Sequence, residues 1–314
     1  MNPFFSVVIP LYNKEDYIED TLQSVLNQTF QDFEVIIIDD GSTDNSLIQA
    51  QKIKDSRITF LKNSQNKGLS EARNIGIHHA KGQVIALLDA DDIWLPSFLQ
   101  NIKDLHDQYS EASIYATDYT EIHSNKNILE SKKNISLSLK NKHFLVDDFF
   151  TINMYNPILC PSSTAFKKSI INTYHAFDAS ITFAEDIDFY IKYCYNHKVA
   201  YYNKALIEKK LNVNGQITST GISDKKIPNL NTYESWTKNN CSLKKYLDLH
   251  RYIFSYQYKL EKNYSKQNAM LSQINYNNLN LKQKFILKSP RSIIILLRKI
   301  KFFLLRKGIR ITSL

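Results

Sequence analysis

The stretch Gly82-Gln83-Val84-Ile85-Ala86-Leu87-Leu88-Asp89-Ala90-Asp91-Asp92 decides the fold. Val84 to Leu88 is an apolar run of strand length with no polar alternation, as a strand buried on both faces requires, and it stops abruptly on carboxylates. The same arrangement occurs twice upstream. Phe5 to Pro10 leads to Asn13, and Phe33 to Ile38 leads to Asp39-Asp40-Gly41-Ser42. A weaker run, Ile58 to Leu61, lies between them and Val84. After Asn13, residues Ile18, Leu22, Val25 and Leu26 share one helical face that can cover a sheet. Strand and helix alternating in this way predict an α/β fold with a doubly wound, mainly parallel, Rossmann-like sheet flanked by helices. Such sheets bind ligands at the carboxyl ends of their strands, where the polar residues stand here.

Working outward, Asn66-Lys67-Gly68-Leu69-Ser70 opens a helix carrying Arg73 and Asn74, where backbone N–H groups and a cation can meet phosphate. Gly41, Gly68, Gly76 and Gly82 all fall in this region, in a chain with only 7 glycines; glycine is spent where the backbone turns or is closely approached. From about residue 120 the alternation becomes irregular. His123 to Lys142 reads as a polar loop, followed by strands near Ser163–Phe166 and Val199–Tyr202 and a helix after Glu185-Asp186. The expected organisation is a first half over 1–120, a second over 121–222, and a helical basic C-terminal extension over 223–314.

The 314 residues are 43% apolar, enough for a full core. Cys160, Cys194 and Cys241 lack paired spacing and read as ordinary buried thiols in a reducing compartment. The net charge of +9 does not mark a nucleic-acid binder, because its distribution is lopsided. No Asp or Glu follows Glu261, whereas twelve of the 40 Lys and Arg do, leaving 28 cations against 31 anions before that point. No basic leader precedes Phe4-Phe5, and no stretch reaches the roughly 18 apolar residues of a membrane span, so a cytoplasmic protein is expected.

Carboxylates crowded on one turn repel unless a cation compensates them. Asp89, Asp91 and Asp92 are oxygen ligands suited to Mg2+ or Mn2+, which share themselves with substrate phosphates. Alone, the same turn would serve as a helix cap. Asp39-Asp40 lacks the Gly-x-Gly-x-x-Gly setting of a dinucleotide site and the chain has no phosphate loop; a carboxylate at that strand end can accept from a base or ribose, or simply form a turn. Arg73 can pair with a phosphate or tether an aspartate. Asp186 heads an amphipathic segment and can be a general base or a helix-capping residue.

Together these segments resemble the inverting glycosyltransferase family 2, of GT-A fold. The matching runs are Ser6 to Asn13, Val35 to Ser46 with its Asp-Asp-Gly-Ser-Thr-Asp, Asn66 to Gly76 and Gly82 to Pro96, in the family's order. The resemblance spans 4–116, continues in part over 157–193 and fades beyond 225. It implies a nucleotide-sugar-binding half over 1–120 and an acceptor-binding half over 121–222. It further implies nucleoside contacts by Pro10, Tyr12, Asn13, Asp39 and Asp40, and donor contacts by Arg73, Asp89 and Ala90. A Mn2+ or Mg2+ ion would be held at the Asp-x-Asp turn, by Asp91 first and by Asp89 or Asp92, with Asp186 as the base. The reaction implied is metal-dependent, inverting transfer of a hexosyl or N-acetylhexosaminyl group from a UDP-sugar to a glycan or lipid-linked acceptor in surface polysaccharide synthesis. One departure stands out: many members carry a histidine near the end of the catalytic domain, and Leu211-Asn212-Val213-Asn214-Gly215-Gln216 has none, leaving Asn214 as a substitute donor. A non-catalytic nucleotide-sugar-binding partner in an envelope assembly complex is the competing reading. A nucleotidyltransferase is disfavoured, since Pro10-Leu11-Tyr12-Asn13 is not its glycine-rich loop.

In the tail, Ile293, Leu296, Leu297, Ile300, Phe303 and Leu304 form one helical stripe with Arg298, Lys299, Lys301 and Arg306 largely off it. That pattern suits a helix lying on an anionic membrane, here the inner face of the cell membrane. The alternatives are packing on the catalytic domain or on a second subunit in a homo-oligomer.

Overall fold

The computed structural model describes residues 2–122, 128–130, 133–171, 175–211, 213, 215–216 and 220–306. Its strands are β1 (Phe5–Leu11), β2 (Phe33–Asp39), β3 (Ile58–Lys62), β4 (Val84–Leu87), β5 (Ile93–Trp94), β6 (Ala112–Ile122), β7 (Ile128–Glu130), β8 (His143–Val146), β9 (Thr164–Lys167) and β10 (Lys198–Lys210). They form one sheet in the order β3-β2-β1-β4-β9-β6-β10-β5, with β7 on β6 and β8 on β10. β1 pairs in parallel with β2 and β4, β2 with β3, and β6 with β10. β9 runs antiparallel between β4 and β6, and β5, β7 and β8 pair antiparallel with β10 or β6, while β1 to β4, β6 and β10 share one direction. The two expected halves therefore share a single sheet.

The helices are α1 (Ile18–Leu26), α2 (Ser46–Lys52), α3 (Leu69–His79), α4 (Phe98–Gln108), α5 (Phe149–Ile152), α6 (Glu185–Asn196), α7 (Cys241–Leu260), α8 (Tyr264–Leu271), α9 (Leu281–Lys288) and α10 (Arg291–Arg306). Successive strand side chains point to opposite faces, and the core divides accordingly. Val7, Ile9, Val35, Ile37 and Ala86 join Leu22 of α1 and Leu99 of α4, while Val8, Ile36, Ile38, Ile85 and Leu87 join Ala72 of α3, Phe189 of α6 and Tyr246 of α7. This two-sided burial is why the strands read as unbroken apolar runs. Gly76 lets α3 lie against the sheet, since a Cβ there would come within 2.4 Å of Val8 Cγ1.

The second half departs from the sequence reading in two places. β10 runs from Lys198 to Lys210 rather than stopping near Tyr202, with register shifts that its polar residues obscure. The expected loop over 123–142 contains β7 and a short 3-10 turn at Leu137–Leu139; residues 123–127 and 131–132 lie outside the described residues. A third correction concerns the cysteines. Cys160 and Cys194 are buried, but Cys241 opens α7 and is exposed.

The C-terminal extension is part of the core on one side and open on the other. Leu243, Tyr246, Leu247 and Phe254 of α7 pack into the cluster beneath the sheet. The opposite side of α7, with Tyr252, supports a satellite cluster of Ile286, Leu287 and Ile294. α10 touches this cluster through Ile294 and leaves Ile293, Leu296, Ile300 and Phe303 exposed. Among the described residues no helix is long and apolar enough to cross a membrane.

Candidate active site

The turns after β1, β2 and β4 are laced together by side-chain hydrogen bonds. Asn13 takes a left-handed backbone (φ 51°), and its Oδ1 accepts from Thr43 N–H at 2.8 Å, while its own N–H donates to Ser42 Oγ at 3.2 Å. Pro10 lies in β1 opposite Ile38, and Tyr12 is exposed at the rim. Asp39 Oδ1 accepts the Ser42 N–H at 3.1 Å. The Asp40 carboxylate is more heavily committed: Oδ1 accepts from Asn63 Nδ2 (2.8 Å) and Lys67 N–H (2.9 Å), and Oδ2 from Gly68 N–H (2.9 Å). Asp40 thus fixes the turn that opens α3. Gly41 is required beside it, because φ is +74° and a Cβ would stand 2.8 Å from Asn66 N.

At the end of β4 the Thr21 hydroxyl lies 3.1 Å from Ala90 O and 2.9 Å from Asp92 O, holding the Asp-Ala-Asp-Asp turn to α1. The three carboxylates then diverge. Asp92 turns inward, accepting from Ser162 Oγ at 2.6 Å and Lys210 N–H at 3.0 Å. Burial, then the charges of Asp91 and Asp89, push its carboxyl up to about 8. Asp91 Oδ2 lies 3.2 Å from Lys14 Nζ. Burial raises its pKa, Lys14 opposes the shift, and the Asp89 charge adds to it. Asp89 Oδ1 accepts from Arg73 at 2.8 Å, and its N–H donates to Ser162 Oγ at 3.1 Å.

Arg73 shows which of its two expected roles the fold supports. Its guanidinium is 1% exposed and bridges Asp89 to Glu185 Oε1 at 2.7 Å, over the Phe177 ring. It is a tether with no open face for a phosphate, and it joins the β4 turn to the start of α6. Asp186 follows Glu185 directly. Ala184 precedes them with φ 62°, a conformation a non-glycine residue adopts only when its surroundings impose it. Asp186 Oδ1 accepts the Ile187 N–H at 3.0 Å, and burial together with Glu185 pushes its carboxyl up to about 6 against the lowering influence of Lys209 and Arg73.

Among the described residues no three His, Cys, Asp or Glu side chains converge as a metal cage. Asn214 lies outside the described residues. Lys14, Ser162 and Lys209 were not singled out in the sequence, and Glu185 was read there only as part of the acidic start of its helix. Lys14 was within reach of the strand-end rule, one position after Asn13; Ser162 and Lys209 come from the divergent half and carry no local signal. A cavity of about 700 Å³ beside Asp148, His197 and Asn240 lies at the start of β10, at the other end of that strand from Lys210 and Asp92.

A carboxylate turn at the centre of a mainly parallel sheet, tied by a buried arginine to an acidic helix start, defines the GT-A architecture of a glycosyltransferase. The chain belongs to glycosyl transferase family 2, whose family model matches residues 6–174. It is similar to an uncharacterised glycosyltransferase of Haemophilus influenzae, 32% identical over 221 residues, 68% of this chain and 67% of the relative. It is also similar to WfaP of Escherichia coli, a UDP-Glc:alpha-D-GlcNAc-diphosphoundecaprenol beta-1,3-glucosyltransferase, 46% identical over 96 residues, 31% of this chain and 38% of WfaP. Among solved structures, S. aureus TarS 1–349 in complex with UDP aligns at a TM-score of 0.57 with 18% identity, over 96% of this chain and 78% of that one; this likeness concerns the fold.

Proposed function

We propose that the chain is a metal-dependent, inverting glycosyltransferase that moves a sugar from a UDP-sugar to a lipid-linked or glycan acceptor in surface polysaccharide synthesis. The observation that carries the reading is the Arg73 bridge, which places the Asp89–Asp92 turn and Asp186 on one rigid frame. UDP bound to TarS and the UDP-Glc donor in the name of WfaP support the donor class; the diphosphoundecaprenol in that name supports a lipid-linked acceptor.

In this reading the nucleoside lies along Pro10, Tyr12, Asn13 and the Asp39–Asp40 strand end. Asp91 and Asp89 would hold Mn2+ or Mg2+. The donor set fits a hard cation shared with phosphate oxygens: two carboxylates face one turn, and one is held above its ordinary pKa by burial and its neighbour. Bound there, the ion would neutralise the departing diphosphate. Asp92 keeps the turn in place through Ser162 and β10. Asp186 accepts the proton of an acceptor hydroxyl as that oxygen bonds to the anomeric carbon and the bond to the diphosphate breaks; no covalent sugar–protein intermediate is involved.

The exposed stripe of α10, flanked by Arg298, Lys299 and Lys301, supports docking on an anionic membrane, on its cytoplasmic face, where a lipid-linked acceptor would be met. The test of the reaction is transfer of radiolabelled sugar to membrane lipid from a panel of nucleotide sugars. Transfer should stop with EDTA and return with Mn2+. Asp186→Asn should lose about 100-fold or more while still binding UDP; full activity in that variant would remove Asp186 as the base.

A further inference from the structure

The cavity of about 700 Å³ at the start of β10 is built from three separate parts of the chain. Residues 146–151 bring the end of β8 and α5, residues 194–199 the junction of α6 with β10, and residues 239–242 with Lys245 the start of α7. It forms where the C-terminal extension closes on the sheet, and two of its three walls lie beyond the 6–174 span of the family model. The 13 residues of β10 separate it from the Asp92 turn by roughly 35–40 Å, at a strand rise of about 3.3 Å per residue.

The lining is polar and balanced in charge. Two carboxylates, Asp147 and Asp148, are matched by two ammonium groups, Lys198 and Lys245. Burial lowers the His197 pKa from 6.5, so its imidazole is neutral at pH 7 and offers one donor and one acceptor. Such a set presents no net charge to a polyanion or a metal ion. The apolar members, Val146, Phe149, Phe150 and Val199, are buried in the core beneath, so the accessible wall consists mostly of hydrogen-bonding groups. Among the described residues the side chains of Asp147, Asn196, His197 and Asn239 have no hydrogen-bond or ion-pair partner in the protein. Asn240 Oδ1 accepts from Leu243 N–H and from Ser242 Oγ, both at 2.8 Å, which leaves its Nδ2 donors available.

Amide, carboxylate and imidazole groups set around a concavity match hydroxyls, each of which both donates and accepts. Exposed groups of this kind hydrogen-bond to solvent, and a polyhydroxylated ligand can replace that solvent bond for bond. Tyr195, whose ring centroid lies 4.8 Å from that of Trp236, adds an aromatic residue to the lining. The volume of about 700 Å³ falls within the roughly 300–1,000 Å³ of ligand pockets and has room for several sugar units.

We propose that this cavity is a second carbohydrate site, which takes a neutral oligosaccharide and is separate from the transfer site. A glycan long enough to reach around the sheet would be held at two points while its end is processed. That role rests on the acceptor being a glycan; the binding itself does not.

The start of α7 supplies a probe, since Cys241 lines the cavity and is exposed while Cys160 and Cys194 are buried. The test is alkylation of Cys241 by iodoacetamide in the full chain, read by mass spectrometry, with cellotetraose, chitotetraose or pyrophosphate added. At saturation one of the two sugars should slow the reaction severalfold, and saturating UDP should leave that protection intact. Asn196→Ala combined with Asn239→Ala, both at exposed positions, should weaken the sugar about tenfold or more, read from the dose dependence of protection, with the melting temperature unchanged. No protection by either sugar, displacement of the sugar by UDP, or equal affinity in the double variant would each overturn the inference. Protection by pyrophosphate alone would overturn it too, by assigning the start of α7 to an anion. Protection by sugar in a protein that binds no UDP would uphold the second site and remove the donor reading.

Discussion

At the residue scale, Arg73 sets both the rigidity of the site and its charge. Its guanidinium is held by Asp89 and Glu185 in a nearly dry setting, so Arg73→Met leaves two carboxylates uncompensated beside Asp186. Removing one partner of a buried ion pair costs about 3–5 kcal/mol. Chemical denaturation should show a loss of that order, with transfer activity falling at temperatures where the variant is still folded. Asp186 gives a pH prediction. Its folded pKa is raised to about 6, and a general base works only when deprotonated. The acid limb of kcat/KM should therefore rise through about pH 6, well above an ordinary carboxylate. A limb near 4 would mean that the base is elsewhere or exposed. These two residues were legible to different degrees. Arg73 was visible as a cation on the right helix with two possible tasks, and only the packing of Phe177 and α6 around it chose the tether.

At the element scale, α10 is divided lengthwise. Ile294 is buried against α7, while Leu296, Ile300 and Phe303 are exposed on the same helix. Two sets of substitutions should separate accordingly. Leu296→Asp with Phe303→Asp should reduce sedimentation with anionic phospholipid vesicles and leave the melting temperature unchanged. Ile294→Asp should lower stability, since burying such a side chain is worth about 1.5–3 kcal/mol. Unaltered sedimentation in the first variant would assign the stripe to a second protein surface. The periodicity of α10 was plain in the sequence, and so was its charge. The division of its apolar residues between α7 and the outside was not, because the residue that α7 covers, Ile294, lies off the stripe that the spacing marks. β10 presents the opposite case. Its polar, bulged second half has no strand signature, yet it delivers the Lys210 N–H to Asp92 in the site.

On the scale of the whole molecule, the extension and the catalytic sheet should unfold together, because Tyr246, Leu247 and Phe254 of α7 share a cluster with Ile36, Leu87 and Phe166. His250, on the same helix, adds a pH dependence. It is buried beside Tyr246 and Phe254, and burial pushes its pKa down from 6.5 to about 3. The unfolded chain takes up this proton below pH 6.5 and the native chain does not until about pH 3. Stability is therefore complete above 6.5 and is lost as the pH falls toward 3, by up to about 1.4 kcal/mol per pH unit. The difference in stability between wild type and His250→Phe should shift in favour of the variant across that window; a pH-independent difference would show that His250 is solvated. What the sequence alone determined is the parallel half of the fold and the acidic strand ends, since two-sided burial forces continuous apolar runs and ligand chemistry forces polar residues immediately after them. What only the tertiary structure decided is the allocation of those polar residues: Asp40 and Asp92 to holding turns, and Arg73 to a bridge. Their partners lie 16 to 118 positions away in the chain. Spacing along a strand or helix encodes nearest neighbours, whereas a carboxylate's role depends on which distant donor the closed sheet brings to it.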